Sequence, residues 1–190
     1  RQDIAGRIVD LPAQDTWKKP PAVSEQGEAD TDFVSAWQAL EDRLHVFAKL
    51  TRLDRVAGIG RFGVLYIGYR DASTAPSQPV DISQLASPDD VLFLRPFSES
   101  VTSILQTKKG QSSNRFGLPT AYRLTVGKGG NLDVHYSRIL HVADNKLDSE
   151  VYGVPRLKRI YNRLDDLLKI VGGSAEATWL NMRPGTLLTT

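Results

Sequence analysis

The segment from Arg115 to Leu180 contains the patterns that decide the fold of this chain. It begins with Arg115-Phe116-Gly117-Leu118-Pro119-Thr120-Ala121-Tyr122, continues with His135-Tyr136-Ser137-Arg138-Ile139-Leu140-His141-Val142, and reaches Tyr152-Gly153-Val154-Pro155-Arg156-Leu157. This order of apolar and turn-forming residues predicts short strands, a loop, a Gly-x-Pro break and then a long amphipathic helix. Strands and helices are therefore expected in one fold.

The strands of this segment are predicted from alternating side chains. Residues 121–126 and 132–136 flank the turn sequence Gly127-Lys128-Gly129-Gly130-Asn131, which is typical of a β-hairpin. We expect a further short strand over residues 137–142 and an acidic surface loop over residues 144–151.

The strongest helical pattern begins near Val154, where Pro155 suits a first turn because its missing N–H has no partner there. Gly172 and Gly173 each cost a helix ~1 kcal/mol relative to alanine, so we expect a kink or a break there and further helix over residues 174–180. A strand-like run follows at Thr186-Leu187-Leu188. The apolar stripe that predicts the helix comprises Leu157, Ile160, Tyr161, Leu164, Leu167, Leu168 and Val171.

The first part of the chain is predicted to be an arm followed by a helix. Residues 1–29 hold a few apolar side chains and then a polar, proline-rich run, so we expect a short amphipathic turn and an extended N-terminal arm. Asp30-Thr31-Asp32 supplies N-cap oxygens, and apolar spacing predicts one helix over about 31–56, ended by Gly58 and Gly60.

The middle of the chain adds strands and loops. Residues 64–69 and 91–97 are strand-like, residues 71–90 and 107–115 have loop composition, and residues 100–106 fit either a short helix or a strand. The fold class is predicted to be α+β, with long amphipathic helices and short mixed or antiparallel strands. Residues 30–190 are expected to form one domain after the arm.

Gly58-Ile59-Gly60-Arg61-Phe62-Gly63 matches the G-x-G-x-x-G pattern of phosphate-binding loops. A dinucleotide-binding loop needs a strand before the glycines and a helix after them, whereas here the predicted order is reversed. We therefore interpret the glycines as a helix-to-strand turn in which backbone segments pack closely.

The composition argues against several classes of protein. Lys plus Arg total 24 and Asp plus Glu 22, so the net charge of the 190 residues is +2, unlike that of a dedicated nucleic-acid-binding domain. Without cysteine there is no disulfide or thiolate site, and no apolar run approaches the roughly 18 residues of a membrane span. Because the chain begins at Arg1 and ends in an apolar run, we expect a fragment of a longer protein.

No catalytic site, metal site or cofactor is predicted. His135-Tyr136-Ser137 matches the H-x-S/T element of phosphodiesterases that need two such elements for acid and base catalysis, and neither His45 nor His141 begins a second copy. The favoured interpretation is that His135 and His141 lie on strands, partly buried and hydrogen-bonded. The adjacent acidic pairs are interpreted as solvated side chains: Glu41-Asp42, Asp89-Asp90 and Asp165-Asp166.

Two local basic clusters are the candidate binding residues. Each could contact DNA phosphates or acidic residues of a neighbouring subunit, or could form a solvated face. The first cluster is expected on one side of the last helix and comprises Arg156, Lys158, Arg159 and Arg163; the second lies in the basic loop and comprises Lys108, Lys109 and Arg115.

Taken together, six short motifs in order resemble those of the portal proteins of tailed bacteriophages. They are R-I-V-D-x-P-A-x-D over residues 7–15, a glycine-rich segment over 55–63, F-G-x-P-x-x-Y over 116–122, H-x-S-R-(I/V)-(I/L)-H over 135–141, G-x-(S/P)-x-L over 153–157 and P-G-x-L over 184–187. They extend across nearly the whole chain.

The resemblance implies a structural subunit of the portal ring, the head-tail connector through which DNA is packaged and ejected, typically with about twelve copies. The segment would belong to the wing region leading towards the stem. The implied partners are terminase, capsid or scaffold proteins, head-tail adaptors and double-stranded DNA in the channel, without a membrane. The implied location is the capsid vertex of the virion, with assembly in the host cytoplasm.

Two other identities compete with that of a phage portal. One is a phage-encoded phosphodiesterase that acts on cyclic-nucleotide immune signals, and the other is a portal-like protein of a defective prophage. For the 190-residue segment alone we expect mostly monomer.

Overall fold

The computed structural model describes residues 3–28, 31–71, 75–127 and 129–182. Within these ranges the helices are α1 (Asp3–Thr16), α2 (Asp32–Leu44), α3 (Val46–Ile59) and α4 (Tyr161–Met182). The strands are β1 (Gly63–Tyr69), β2 (Val91–Ser98), β3 (Thr102–Thr107), β4 (Pro119–Val126), β5 (Gly130–His135) and β6 (Ile139–Val142). The strands pair antiparallel in two sheets, ordered β2-β1-β6 and β3-β4-β5, so the α+β prediction is confirmed.

Strand β1 is the centre of the packing because residues on both of its faces are buried. Val64 lies in a core cluster with Leu124 of β4, in the second sheet. Its neighbour Leu65 lies in another cluster with Leu53 of α3. Since successive strand residues point to opposite faces, β1 has the second sheet on one side and the helices on the other.

Helix α1 corrects the expectation of only a short turn near the N-terminus. It is a 14-residue helix in which Val9 and Ala13, four residues apart, are buried. Beyond its end, the Trp17 indole N–H donates to the Asp54 carboxylate of α3 at 3.2 Å. Packing of an amphipathic face stabilises a helix more than its propensity does, and composition does not reveal such packing. The division into a 1–29 arm and a wing-like domain stays a prediction.

The single helix predicted over residues 31–56 is two helices that meet at His45. Thr31 Oγ accepts from the Val34 N–H at 3.3 Å, so the predicted N-cap is confirmed at Thr31, while Asp30 lies outside the described residues. The backbone of His45 is left-handed (φ 51°), and the Glu41 carboxylate accepts from the Phe47 N–H at 3.2 Å. Because the apolar residues keep helical spacing on both sides of His45, the sequence pattern indicates one continuous helix.

The glycine-rich segment forms the predicted helix-to-strand turn. Helix α3 ends at Ile59, where the Gly60 N–H donates to the Val56 carbonyl at 3.3 Å, and β1 begins at Gly63. A Cβ atom on Gly63 would lie 3.1 Å from the backbone nitrogen of Ala57. The backbones therefore approach closely here, as interpreted from the sequence.

The remaining strands settle the choice that the sequence left open. Thr102–Thr107 is strand β3, after a short 3₁₀ turn at Glu99–Val101. The predicted hairpin is β4 and β5, with Ala121 opposite His135. The strand expected from residue 137 begins instead at Ile139, because Tyr136–Arg138 forms a 3₁₀ turn.

The chain divides into two compact units, residues 1–156 and 157–190. In the second unit α4 begins at Tyr161 and continues through Gly172 and Gly173. A break at the glycines is therefore wrong, while the alternative of a kink stays a prediction. Helix propagation is cooperative, and the unfavourable propensity of two glycines does not by itself interrupt 22 residues. The strand expected at residues 186–188, like the P-G-x-L motif, lies outside the described residues.

Candidate functional site

The H-x-S-R-I-L-H motif begins with His135, whose ring is held by Ser137 of the same motif. Nδ1 of His135 accepts from the Ser137 backbone N–H at 3.3 Å and lies 2.9 Å from the Ser137 hydroxyl oxygen. That oxygen accepts from the Val80 N–H at 3.0 Å. Because Nδ1 is an acceptor, the Ser137 hydroxyl donates to it, and the proton of the neutral imidazole lies on Nε2.

Arg138, the next residue of the motif, is buried in an ion pair. Its guanidinium donates to both carboxylate oxygens of Asp71, one at 2.9 Å, and each of these side chains is 3% exposed. Its Nε donates to the Gln78 carbonyl at 3.2 Å, while the His135 N–H donates to the Pro76 carbonyl at 2.9 Å. The motif therefore holds the loop after β1 against the 3₁₀ turn.

His141, the last residue of the motif, is partly buried and packs against the core residues Phe62 and Tyr122. Its Nε2–H donates to the Val151 carbonyl at 2.8 Å, so its Nδ1 accepts from the Tyr122 hydroxyl at 3.1 Å. Its ring stacks on Phe62 at 4.9 Å. Burial lowers the pKa of His141, partly opposed by the hydrogen bond to Val151, and burial raises the pKa of Tyr122 to about 12.

The prediction that His135 and His141 are partly buried and hydrogen-bonded is confirmed. Both ring nitrogens of His141 form hydrogen bonds within the fold, to Tyr122 and to Val151. In residues 3–28, 31–71, 75–127 and 129–182, no three or more acidic or histidine side chains are placed to hold a metal ion. Over the same ranges, no helix is both long and apolar enough to cross a membrane.

Arg156, predicted to contact DNA or a neighbour, has intramolecular partners. Its Nε donates to Asp144 at 2.8 Å and one terminal nitrogen to Asp54 at 2.7 Å. The other terminal nitrogen donates to the Val9 carbonyl at 2.9 Å. A Cβ atom on Gly58 would lie 2.7 Å from this guanidinium. Arg156 thus joins α1, α3 and the loop after β6, and we call these contacts the Arg156 cluster.

The four residues of the first basic cluster do not share one helix, which corrects the expectation from their spacing. Arg156, Lys158 and Arg159 lie in a 3₁₀ turn (Arg156–Arg159), and only Arg163 belongs to α4. The α-helix therefore begins at Tyr161, after this turn, and not near Val154. Lys158, Arg159 and Arg163 are exposed, and no ion pair to them is formed within the described ranges.

The second basic cluster lies at a cleft of about 790 Å³. One wall is the loop at Pro79, Val80 and Ile82; the floor is the His135-Tyr136-Ser137 turn. The second wall is the end of β3 and the loop that follows, which contribute Gln106, Thr107, Lys108, Lys109, Ser113, Asn114 and Arg115, with Thr120 of β4. We call this space the basic cleft.

The basic loop has a hydrogen-bonded backbone frame. Lys108 donates its N–H to the Leu118 carbonyl and accepts from the Gly117 N–H, both at 2.9 Å. Gly117 has a φ of 76°, a conformation that glycine adopts without steric cost. The Ser113 hydroxyl oxygen accepts from the Arg115 N–H at 3.3 Å. The frame therefore positions the three cations at one wall.

Arg115 is held across the cleft floor. Its guanidinium lies 3.7 Å from the centre of the Tyr136 ring, and one terminal nitrogen donates to the Pro119 carbonyl at 3.0 Å. The pKa of His135 is lowered by burial and further by the positive charges of Arg115 and Arg138. The site therefore presents a neutral imidazole among cations.

Sequence reasoning missed the carboxylates that hold these sites. Asp71 pairs with Arg138, and Asp54 and Asp144 pair with Arg156. Asp144 was expected in an acidic surface loop. A single acidic residue in a loop or on a helix has no spacing that identifies its partner, so no local signal could have found these pairs.

A family model described as phage portal protein matches residues 1–182. No curated protein matches the chain. The matched range includes five of the six motifs that carried the resemblance and both basic clusters.

Asp71→Ala removes the carboxylate that pairs with the buried Arg138, and we expect it to lower the free energy of unfolding by about 3–5 kcal/mol. The matched control is Asp89→Ala, which breaks a pair with Arg43 at 3.7 Å in which Asp89 is 78% exposed. That control should cost less than about 1 kcal/mol. Urea denaturation of both variants measures the difference, and equal losses would contradict the role of the buried pair.

Gly58→Ala tests the Arg156 cluster. Alanine usually stabilises a helix by ~1 kcal/mol relative to glycine, but at Gly58 the new methyl group would displace the Arg156 guanidinium. We expect a lower melting temperature for Gly58→Ala and a higher one for Gly6→Ala in α1, where a Cβ atom meets nothing within 4 Å. Stabilisation by both substitutions would argue against a fixed Arg156.

His141 should make stability depend on pH. Because its pKa in the folded state is lowered below the ordinary value of 6.5, its contribution is complete above about pH 6.5 and declines as the pH falls towards the folded pKa. The loss is at most about 1.4 kcal/mol per pH unit. Urea denaturation at several pH values should show a smaller slope for His141→Gln, whose amide can still donate to Val151 but does not titrate. An unchanged slope would refute this assignment.

Proposed function

We propose that this chain, which belongs to the phage portal protein family, is the wing segment of a portal ring and its lead-in towards the stem. Members of this family are structural proteins that form oligomeric rings at the capsid vertex. The family match over residues 1–182 carries the proposal. A near-neutral net charge of +2 agrees with a region that contacts protein more than DNA.

We further propose the assembly and the partners. The full-length protein forms a ring of about twelve copies with cyclic symmetry, assembles in the host cytoplasm and has no enzymatic activity of its own. Terminase pumps double-stranded DNA through the channel of the ring during packaging, and the DNA leaves through the same channel at ejection. Capsid or scaffold proteins and head-tail adaptors bind the ring.

The exposed basic residues are proposed as contacts within that assembly. Lys158, Arg159 and Arg163 are exposed, and they would meet DNA phosphates or acidic side chains of a neighbouring subunit. Arg156 would act indirectly, since its donors are occupied by Asp54, Asp144 and Val9. A ring repeats each cation around its axis, so a small charge per copy becomes a strong local field.

Negative-stain electron microscopy of the full-length protein tests the ring. We expect particles with a central hole and about twelve-fold symmetry. Compact monomers or dimers at micromolar concentration would contradict the proposal. Cyclic-nucleotide hydrolysis, measured with and without His135→Ala, would then test the phosphodiesterase alternative.

A charge-removal variant tests the contacts. In the full-length protein, replacement of Lys158, Arg159 and Arg163 by alanine should reduce ring formation if the partners are neighbouring subunits, or DNA packaging by intact rings if the partner is DNA. The control is Lys18→Ala with Lys19→Ala, an exposed pair elsewhere in the chain. Normal assembly and normal packaging of the triple variant would refute a contact role.

A further inference from the structure

We infer that the basic cleft is a binding site for a phosphate group, with Lys108, Lys109, Arg115 and the Nε2–H of His135 as its donors. The site lies within a single copy of the chain. The inference therefore goes beyond the ring proposal and does not depend on it.

The charge of the cleft is the first argument. Three cationic side chains line it, and no carboxylate is among the described residues that do so. Asp81 lies between Val80 and Ile82, but its carboxylate accepts from the Ser83 hydroxyl at 2.6 Å and from the Gln84 amide at 2.9 Å. The described residues contain no ion pair to Lys108, Lys109 or Arg115. Their positive charge is thus free to bind an anion.

The direction of the donors is the second argument. Arg115 already uses one terminal nitrogen for the Pro119 carbonyl, so part of its set of five donors is occupied. The other donors are lysine ammonium groups, which bind phosphate as point charges, and one imidazole N–H. Single donors from separate elements suit a tetrahedral group with several oxygens better than a carboxylate.

The proton on His135 is the third argument. Since Nδ1 accepts from the Ser137 N–H, Nε2 carries the proton even when the imidazole is neutral. It has no hydrogen-bond partner among the described residues and lies among the lining groups of the cleft. A neutral N–H without a protein partner, in a cleft that three cations also line, is a donor that an entering anion can use.

The size and the apolar wall indicate what carries the phosphate. A volume of about 790 Å³ falls within the range of about 300–1,000 Å³ of small-molecule sites. Pro79, Val80 and Ile82 provide an apolar surface in the same cleft as the cations, and Ile82 is 78% exposed. A nucleotide or a single-stranded segment fits this combination, with its base on the apolar wall and its phosphate on the basic wall.

The test is an NMR titration of backbone amides in the 190-residue chain with three probes. The probes are inorganic phosphate, a short oligothymidylate and an oligoglutamate of matched length. We expect phosphate and oligothymidylate to shift the amides of residues 107–115 and 135–137. Tighter binding of oligothymidylate would identify a strand as the source of the phosphate, and tighter binding of inorganic phosphate a small phosphorylated ligand; both outcomes support the site.

Two matched lysine variants separate a built site from general attraction. Lys108→Gln with Lys109→Gln removes two exposed cations of the cleft and should weaken oligothymidylate binding about tenfold. Lys18→Gln with Lys19→Gln removes the same charge elsewhere and should change it by less than about twofold. Equal losses in the two variants would overturn the inference.

His135→Asn provides an independent check. The asparagine oxygen replaces Nδ1 as the acceptor for the Ser137 N–H, so the turn is kept while the Nε2–H is lost. Binding should weaken severalfold. Circular dichroism and the unshifted core amides confirm that the fold is intact.

The pH dependence is specific to the imidazole. The charged groups that face His135 are Arg115 and Arg138, with Lys108 and Lys109 at the cleft wall and Asp71 paired to Arg138. Protonation of His135 adds a charge beside the bound phosphate, so affinity for oligothymidylate, whose phosphodiesters do not titrate here, should rise as the pH falls from about 7.5 to 5.5. His135→Asn should abolish this rise.

Three results would overturn the phosphate site: no cleft shifts with any phosphate probe, oligoglutamate binding at least as tightly, or a pH profile unchanged by His135→Asn. None of these results would bear on the ring proposal, which has its own test. The titration uses the isolated chain, whereas the ring is judged by microscopy of the full-length protein.

Discussion

The burial of Arg138 is the constraint on which much of this structure depends. A guanidinium stays charged at all ordinary pH values, and its removal from water is costly unless it is paired and hydrogen-bonded. Asp71 and the Gln78 carbonyl meet that need. The loop after β1 is thereby held against the turn before β6. The Val80 N–H and the Ser137 hydroxyl complete the junction, and the same loop becomes one wall of the basic cleft.

Hydrogen bonds between distant segments also join the motifs that resemble those of portal proteins. The Tyr122 hydroxyl, in the third motif, donates to His141 of the fourth. The Gly153 N–H donates to the carbonyl of Arg61 in the glycine-rich segment at 2.7 Å, and Arg156 reaches Val9 in the first motif. Motifs that are far apart in the sequence are neighbours in the fold. Their residues form the junctions of the 1–156 unit, and the phosphodiesterase-like H-x-S element is one of these junctions.

Local sequence patterns predicted which helices and strands form better than they predicted the residues at which each begins and ends. The hairpin of β4 and β5, the strands β1 and β2 and the N-cap at Thr31 follow from alternation, turn residues and capping oxygens, each acting within a few residues. The errors come from contacts over longer distances. Helix α1 is stabilised by α3, and α2 and α3 are separated by one left-handed residue, His45. The basic loop was predicted from the sequence, but its position beside the His135 turn in one cleft was not.

The sequence by itself determined the α+β class, the absence of a recognisable catalytic motif, the two basic clusters and the resemblance to phage portal proteins. These properties depend on residue type, spacing and order along the chain. Tertiary structure alone decided that Arg156 pairs inside the fold, that Asp71 neutralises Arg138, and that Lys108, Lys109 and Arg115 line one cleft together with His135. The reason is physical: charge pairing and desolvation depend on distance in space, and a spacing of 67 residues between Asp71 and Arg138 carries no local trace of a contact.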